Sequence, residues 1–223
     1  MKTEIFEYNG YTATVILPKN PNGEWVWKTE FLYAFDQAEN ALLERGYTRV
    51  YYKISDKFGS KNAVELMYKF HQALLKKYPF LTEKANLFGF SRGGLYAFNY
   101  AISYPQMVKK IYLDAPVLNL KSWPPKDSVD QQLFFNEYGL NEKEFENFKG
   151  SPIDNLEKLY QTKIPVLIVA GDSDLTVPFS DNGQYLIDYY NKQGVKVPLY
   201  LKKGCGHHPH SLEDVLPILY FIC

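Results

Sequence analysis

The chain has 223 residues, and its 25 lysines and arginines balance 25 aspartates and glutamates, so the formal net charge is zero with histidine neutral. That balance, with no basic block, excludes the phosphate-binding surface of a nucleic-acid protein, while the length and 46% hydrophobic content suit one domain whose core needs no disulfide or metal staple. The polar, acidic start lacks an apolar signal region, no run of about 18 apolar residues occurs, and the two cysteines, Cys205 and Cys223, suit a reducing compartment, so the expectation is a cytoplasmic chain with no membrane partner.

Strand and helix patterns alternate from end to end, which predicts an α/β domain spanning residues 1–223. Strands over 4–8 and 11–17 are separated by Asn9-Gly10, a dipeptide suited to a tight hairpin turn. Phe31, Ala34, Phe35, Ala38, Ala41 and Leu42 recur at spacings of three and four, predicting a helix that stops at Gly46. A strand over 49–54 follows, then a helix with Val64, Met67, His71, Leu74 and Leu75 on one stripe that ends before Pro79. The strand at 85–90 passes into a helix through Leu95, Ala97, Phe98, Ala101 and Ile102. After a strand at 108–114, residues 116–163 lack strand character and read as a small helical insertion over the main sheet. Strands at 164–170 and 195–201 bracket a helix near 181–192, and a last helix starts near Ser211.

Gly89-Phe90-Ser91-Arg92-Gly93 fits G-x-S-x-G at a strand-to-helix junction, the context that motif requires. A sharp turn there strains the serine backbone and lifts its hydroxyl clear of the sheet, and the helix N-terminus offers N–H groups to developing negative charge. A serine hydroxyl is a weak nucleophile, so it needs a base and an acid that orients the base. Acids follow one later strand in Gly171-Asp172-Ser173-Asp174-Leu175-Thr176-Val177-Pro178, and histidines follow the next in Gly204-Cys205-Gly206-His207-His208-Pro209-His210. In the order Ser, Asp, His, all three loops would open on the same edge of a parallel sheet.

On these residues, with Asp114-Ala115-Pro116-Val117 and Gly206-His207-His208-Pro209-His210-Ser211-Leu212, the chain resembles the α/β-hydrolase superfamily over nearly its whole length. Within it, the chain is similar to uncharacterised bacterial hydrolases related to dienelactone hydrolases and to the catalytic domains of prolyl oligopeptidases. The resemblance implies a mostly parallel central sheet flanked by helices. Gly171, Asp174, Val177 and Pro178 fit the superfamily's G-x-x-D-x-x-V-P loop, which implies Asp174 as the acid; Asp172 is the alternate and Asp114 a third candidate. The family's glycine before the histidine implies His207 as the base, with His208 as alternate. Ser91 would attack a carbonyl carbon, and the oxyanion would be held by the backbone N–H of Arg92 and one from the loop after the second strand. The segment from Leu17 to Trp25 lacks the His-Gly or Gly-Gly pair of common relatives, so the second donor is expected between residues 20 and 27.

The Arg92 side chain either pairs with a nearby acid or reaches a substrate carboxylate. Trp25, Trp27 and Trp123 are candidate pocket residues for stacking on a sugar or aryl ring, with core packing as the alternative. His71, on an apolar stripe, reads as a core or interface histidine. Cys205, His207, His208 and His210 look like a small metal cluster; adjacent histidines rarely converge on one ion, however, and no metal or cofactor is expected. The leading reading is a serine hydrolase of a small or medium carboxylic ester, an acylated carbohydrate among the candidates, because alkoxide departs more readily than amine. A peptidase or amidase of the prolyl oligopeptidase type is the alternative, and an inert binding module a third. The oligomeric state is not legible.

Overall fold

The Asn9-Gly10 turn, with φ of 47° and 80°, folds β1 (Lys2–Tyr8) back on β2 (Tyr11–Leu17) with Tyr8 opposite Tyr11. These strands start the computed structural model, which describes residues 1–223. There follow β3 (Trp25–Lys28), α1 (Gln37–Glu44), β4 (Thr48–Tyr52), α2 (Lys61–Lys77), β5 (Ala85–Phe90), α3 (Gly93–Ser103) and β6 (Val108–Asp114). The rest comprises α4 (Val129–Tyr138), α5 (Glu142–Glu146), α6 (Leu156–Thr162), β7 (Val166–Gly171), α7 (Gly183–Lys192), β8 (Leu199–Lys202) and α8 (Leu216–Ile222). One eight-stranded sheet runs β1-β2-β4-β3-β5-β6-β7-β8. β2 pairs antiparallel with β1 and β4, and every later pairing is parallel. This is the α/β-hydrolase arrangement, and its parallel part sends β3, β5, β6, β7 and β8 toward the same edge.

Period-two alternation along the central strands splits their side chains between two cores. Trp25, Trp27, Leu87, Ile111, Leu113, Val166 and Ile168 face the larger core, which takes the apolar sides of α2, α3, α4, α6 and α7. Val26, Phe88, Phe90, Tyr112, Leu167 and Val169 face the smaller one, closed by α1 and α8. Within residues 116–163, α6 packs against α3 and α7 in the larger core. α4 and α5 extend that core around Phe134, whose ring meets those of Phe58, Tyr138, Phe145 and Phe148. No helix is long and apolar enough to cross a membrane.

Several elements differ from their sequence expectation; the strand expected over 195–201 begins only at Leu199. β3 carries no alternating pattern because all four of its residues are buried, so it reads as loop. The apolar period through Phe31 and Phe35 continues upstream of α1, but both residues have positive φ, 58° and 49°, and the helix starts only at Gln37. The final helix starts at Leu216 rather than near Ser211, whose φ of 68° belongs to a turn.

Candidate active site

Only Ser91 and Arg92 separate β5 from α3, and Ser91 is left at φ 49°, where a residue with a Cβ is strained. Neighbouring backbone holds the turn: the Ser91 N–H donates to the Asp114 carbonyl at 2.9 Å, and the Ser91 carbonyl accepts from Val117 and Gly94 N–H at 2.8 and 3.0 Å. Gly93 has no room for a side chain, because a Cβ there would lie 2.8 Å from Thr29 Oγ1. The loop after β3 thus packs directly on the serine turn.

Ser91 Oγ lies 3.0 Å from His207 Nε2, and His207 Nδ1 lies 2.7 Å from Asp174 Oδ2. The other Asp174 oxygen accepts the Thr176 and Val177 N–H groups at 2.8 and 2.9 Å, so a carboxylate only 1% exposed has both oxygens engaged. With its Nδ1–H given to Asp174, His207 turns its Nε2 lone pair toward the serine hydroxyl, the tautomer a general base requires. Asp172 is exposed and does something else: its Oδ1 accepts from Gly204 N–H at 2.7 Å and Ser173 Oγ at 2.8 Å, tying the acid loop to the histidine loop. Those loops touch so closely at Gly171 that a Cβ would lie 2.2 Å from the Cys205 carbonyl. Asp114 meets a different histidine, accepting from His210 Nδ1 and Ser211 N–H at 2.7 Å each and from the Tyr112 hydroxyl. His208 is exposed and stacks on Phe35 at 5.5 Å. Of the candidate acids and bases, the fold therefore brings Asp174 and His207 to Ser91.

The profile of the prolyl oligopeptidase family matches residues 44–222. The chain belongs to this family. It is therefore a member of a family of serine hydrolases with the α/β-hydrolase fold. Its structure resembles Porphyromonas gingivalis dipeptidyl peptidase 4 with a TM-score of 0.72 at 14% identity, over 99% of this chain and 34% of that one. It also resembles Pyrococcus horikoshii acylaminoacyl peptidase with a TM-score of 0.69 at 17% identity, over 92% and 37% of the two chains. A third neighbour is a puromycin-hydrolyzing peptidase of Mycobacterium tuberculosis, with a TM-score of 0.68 at 16% identity over 93% and 36%. The chain thus spans about a third of the length of these structures, and the likeness is one of fold. No curated protein matches the sequence significantly.

Within this family member, two sequence expectations about the site need correction. The second oxyanion donor does not lie between residues 20 and 27, because that stretch leads into and forms β3: Trp25 pairs with Thr48 at the start of β4, toward the sheet edge opposite Ser91. The loop that reaches the elbow starts at Thr29. There the N–H groups of Glu30 and Phe31, like that of Arg92, donate to no protein acceptor. Nor do the tryptophans form a pocket mouth. Trp25 and Trp27 are 0% and 1% exposed, stacked at 5.9 Å and packed on His71, and Trp123 is 8% exposed against Phe58. A large ring pointing off a strand packed on both faces has only core to enter. On the loop after β3, by contrast, Phe31 and Tyr33 are exposed.

Arg92 takes the acid-pairing option. Its Nε donates to Glu30 Oε2 at 3.1 Å, Ser55 Oγ donates to the same oxygen at 3.0 Å, and the guanidinium lies 5.3 Å from the Phe31 ring centre. Burial pushes the Glu30 carboxyl up, and Arg92 opposes that rise. Sequence reasoning does not single out Glu30; the only signal is an acid directly before the apolar run Phe31–Phe35. One ring nitrogen each of His207, His208 and His210 lies within 4.8 Å of the others, with Cys205 outside the group.

Proposed function

We propose that the protein hydrolyses amide bonds of peptide-like substrates through an acyl-enzyme on Ser91. The observation that carries this reading is the hydrogen-bond chain from Ser91 Oγ through His207 to Asp174 at 3.0 and 2.7 Å, mounted on a strained strand-to-helix turn. In the reaction, His207 Nε2 takes the serine proton as Oγ attacks the carbonyl carbon, then gives it to the departing amine. Water repeats the sequence to release the acid. Asp174 keeps the imidazole in its working tautomer and stabilises the imidazolium. The oxyanion is held by the Arg92 N–H and by an N–H of Glu30 or Phe31, the free donors beside the elbow.

Amide rather than ester cleavage is supported by membership of the prolyl oligopeptidase family and by the peptidases among the structural neighbours. Ester hydrolysis is the easier reaction for the same residues, since the leaving alkoxide needs less help. The test is a pair of chromogenic substrates sharing one acyl group, a nitroanilide and a nitrophenyl ester, run with wild type and Ser91→Ala. Turnover of the anilide that vanishes in Ser91→Ala is the expected result. Ester turnover alone would return the protein to the esterase reading, and no turnover or fluorophosphonate labelling of a folded wild type would reject both.

A further inference from the structure

The three histidines after β8 form a nearly equilateral triangle. Their ring centres lie 5.0, 4.9 and 5.0 Å apart, with interplanar angles of 66°, 78° and 88°. Each offers one nitrogen within 4.8 Å of the other two. Nitrogens on a tetrahedral zinc, at Zn–N of about 2.0–2.1 Å, stand about 3.3 Å apart. The three nitrogens must draw together for one ion to bind, and His208, exposed and without a hydrogen bond from its ring, is the side chain freest to move.

Hydrogen bonding at the two less exposed rings points the same way. His207 and His210 each give Nδ1 to a buried carboxylate at 2.7 Å, Asp174 and Asp114 respectively. Carboxylates that fix the far nitrogen of an imidazole orient the near one as a metal ligand and raise its basicity. Asp114 is itself fixed by Ser211 N–H and the Tyr112 hydroxyl, so His210 is rigidly presented. Its Nε2 has no protein partner, and neither nitrogen of His208 has one. Catalysis as proposed uses one of these carboxylate–imidazole pairs and leaves the second unexplained.

We propose that His207, His208 and His210 form a binding site for a zinc-like divalent transition metal, whose occupancy switches the hydrolase off. The metal would take the His207 Nε2 lone pair that the serine proton needs, leaving a fourth position for water. No covalent bond changes, so removal of the ion restores the base. Imidazole ligands favour zinc, cobalt, nickel or copper over magnesium and calcium. The inhibitory effect rests on His207 being the base, whereas the binding does not.

Two readouts separate these. Titration with Co2+, followed by the visible absorption of a low-coordinate cobalt site, should give a band in wild type and in Ser91→Ala that is lost in His208→Ala. Zn2+ should inhibit wild-type turnover and a chelator should reverse it, with Mg2+ at equal concentration inert. His208→Ala should keep metal-free turnover and need at least ~10-fold more Zn2+ for half inhibition, in line with the loss expected when a site's ligand support is removed. A cobalt band on a protein that turns over no substrate would support the site and overturn its inhibitory role. An absent band, one that survives His208→Ala, or equal zinc sensitivity of the two proteins would overturn the site.

Discussion

Asp172 and Asp174 sit two positions apart on one loop, yet only Asp174 points at an imidazole, at 2.7 Å, while Asp172 accepts from Gly204 and Ser173. Asp174→Asn should therefore lower kcat by about 10⁴-fold, because an amide favours the wrong tautomer of His207. Asp172→Asn, which disturbs a loop contact, should cost far less. Comparable losses in steady-state kinetics would reject this assignment. Arg92 and Glu30 form the other residue-scale pair at the elbow. Arg92→Ala leaves a carboxylate with 1% exposure unpaired and should lower stability by about 3–5 kcal/mol; adding Glu30→Gln should recover much of that in urea unfolding. That Arg92 pairs with some acid is readable from its place in the motif, but the identity of the partner is not, since Glu30 lies 62 positions away.

Among elements, the loop after β3 departs furthest from its sequence pattern. Two buried cations hold it. Lys28 Nζ contacts Glu39 Oε1 at 2.6 Å and donates to the Ala34 carbonyl, and Arg49 donates to the Leu32 carbonyl at 3.1 Å and to Asp36 at 2.9 Å. Burial lowers the Lys28 ammonium's affinity for its proton and raises that of Glu39, and the charge of each partner opposes the other's shift. Lys28→Met should destabilise by about 3–5 kcal/mol through the stranded Glu39, and it should reduce kcat by more than KM changes, because the freed loop carries the Glu30 and Phe31 donors. An unchanged kcat in a folded Lys28→Met protein would remove this loop from the oxyanion site. Periodicity misreads the segment because Phe31 and Phe35 match a helical face in spacing, and only partners from other elements hold them in left-handed turns.

For the molecule as a whole, acid stability should depend on His71. This ring is 0% exposed between the sheet and α3, edge-on to Trp25, with Nε2–H donating to the Glu83 carbonyl at 2.9 Å and Nδ1 accepting from the Tyr100 hydroxyl at 2.8 Å. Burial lowers its pKa to about 4, against 6.5 for an ordinary histidine. The unfolded chain then binds the proton first as pH falls. Stability is full above pH 6.5 and is lost progressively down to about pH 4, by ~3 kcal/mol for this group. Urea unfolding across that window should show the slope in wild type and its loss in His71→Gln, which can donate and accept the same two bonds. Parallel pH dependence in the two proteins would show that other groups carry it.

The alternation of strands and helices, the hairpin at Asn9-Gly10, the serine elbow and the order of the three catalytic candidates are all set by local sequence: turn chemistry, apolar period and motif spacing act over a few residues. So is the choice of loops, because a parallel sheet delivers the ends of β5, β7 and β8 to one edge. Tertiary structure alone decided that Asp114 belongs to His210, that Glu30 answers Arg92, that Trp25 and Trp27 are core, and that three neighbouring histidines face one another. Each of these depends on distance between segments dozens of residues apart or on side-chain direction within a tight loop. Neither quantity is carried by residue type or spacing.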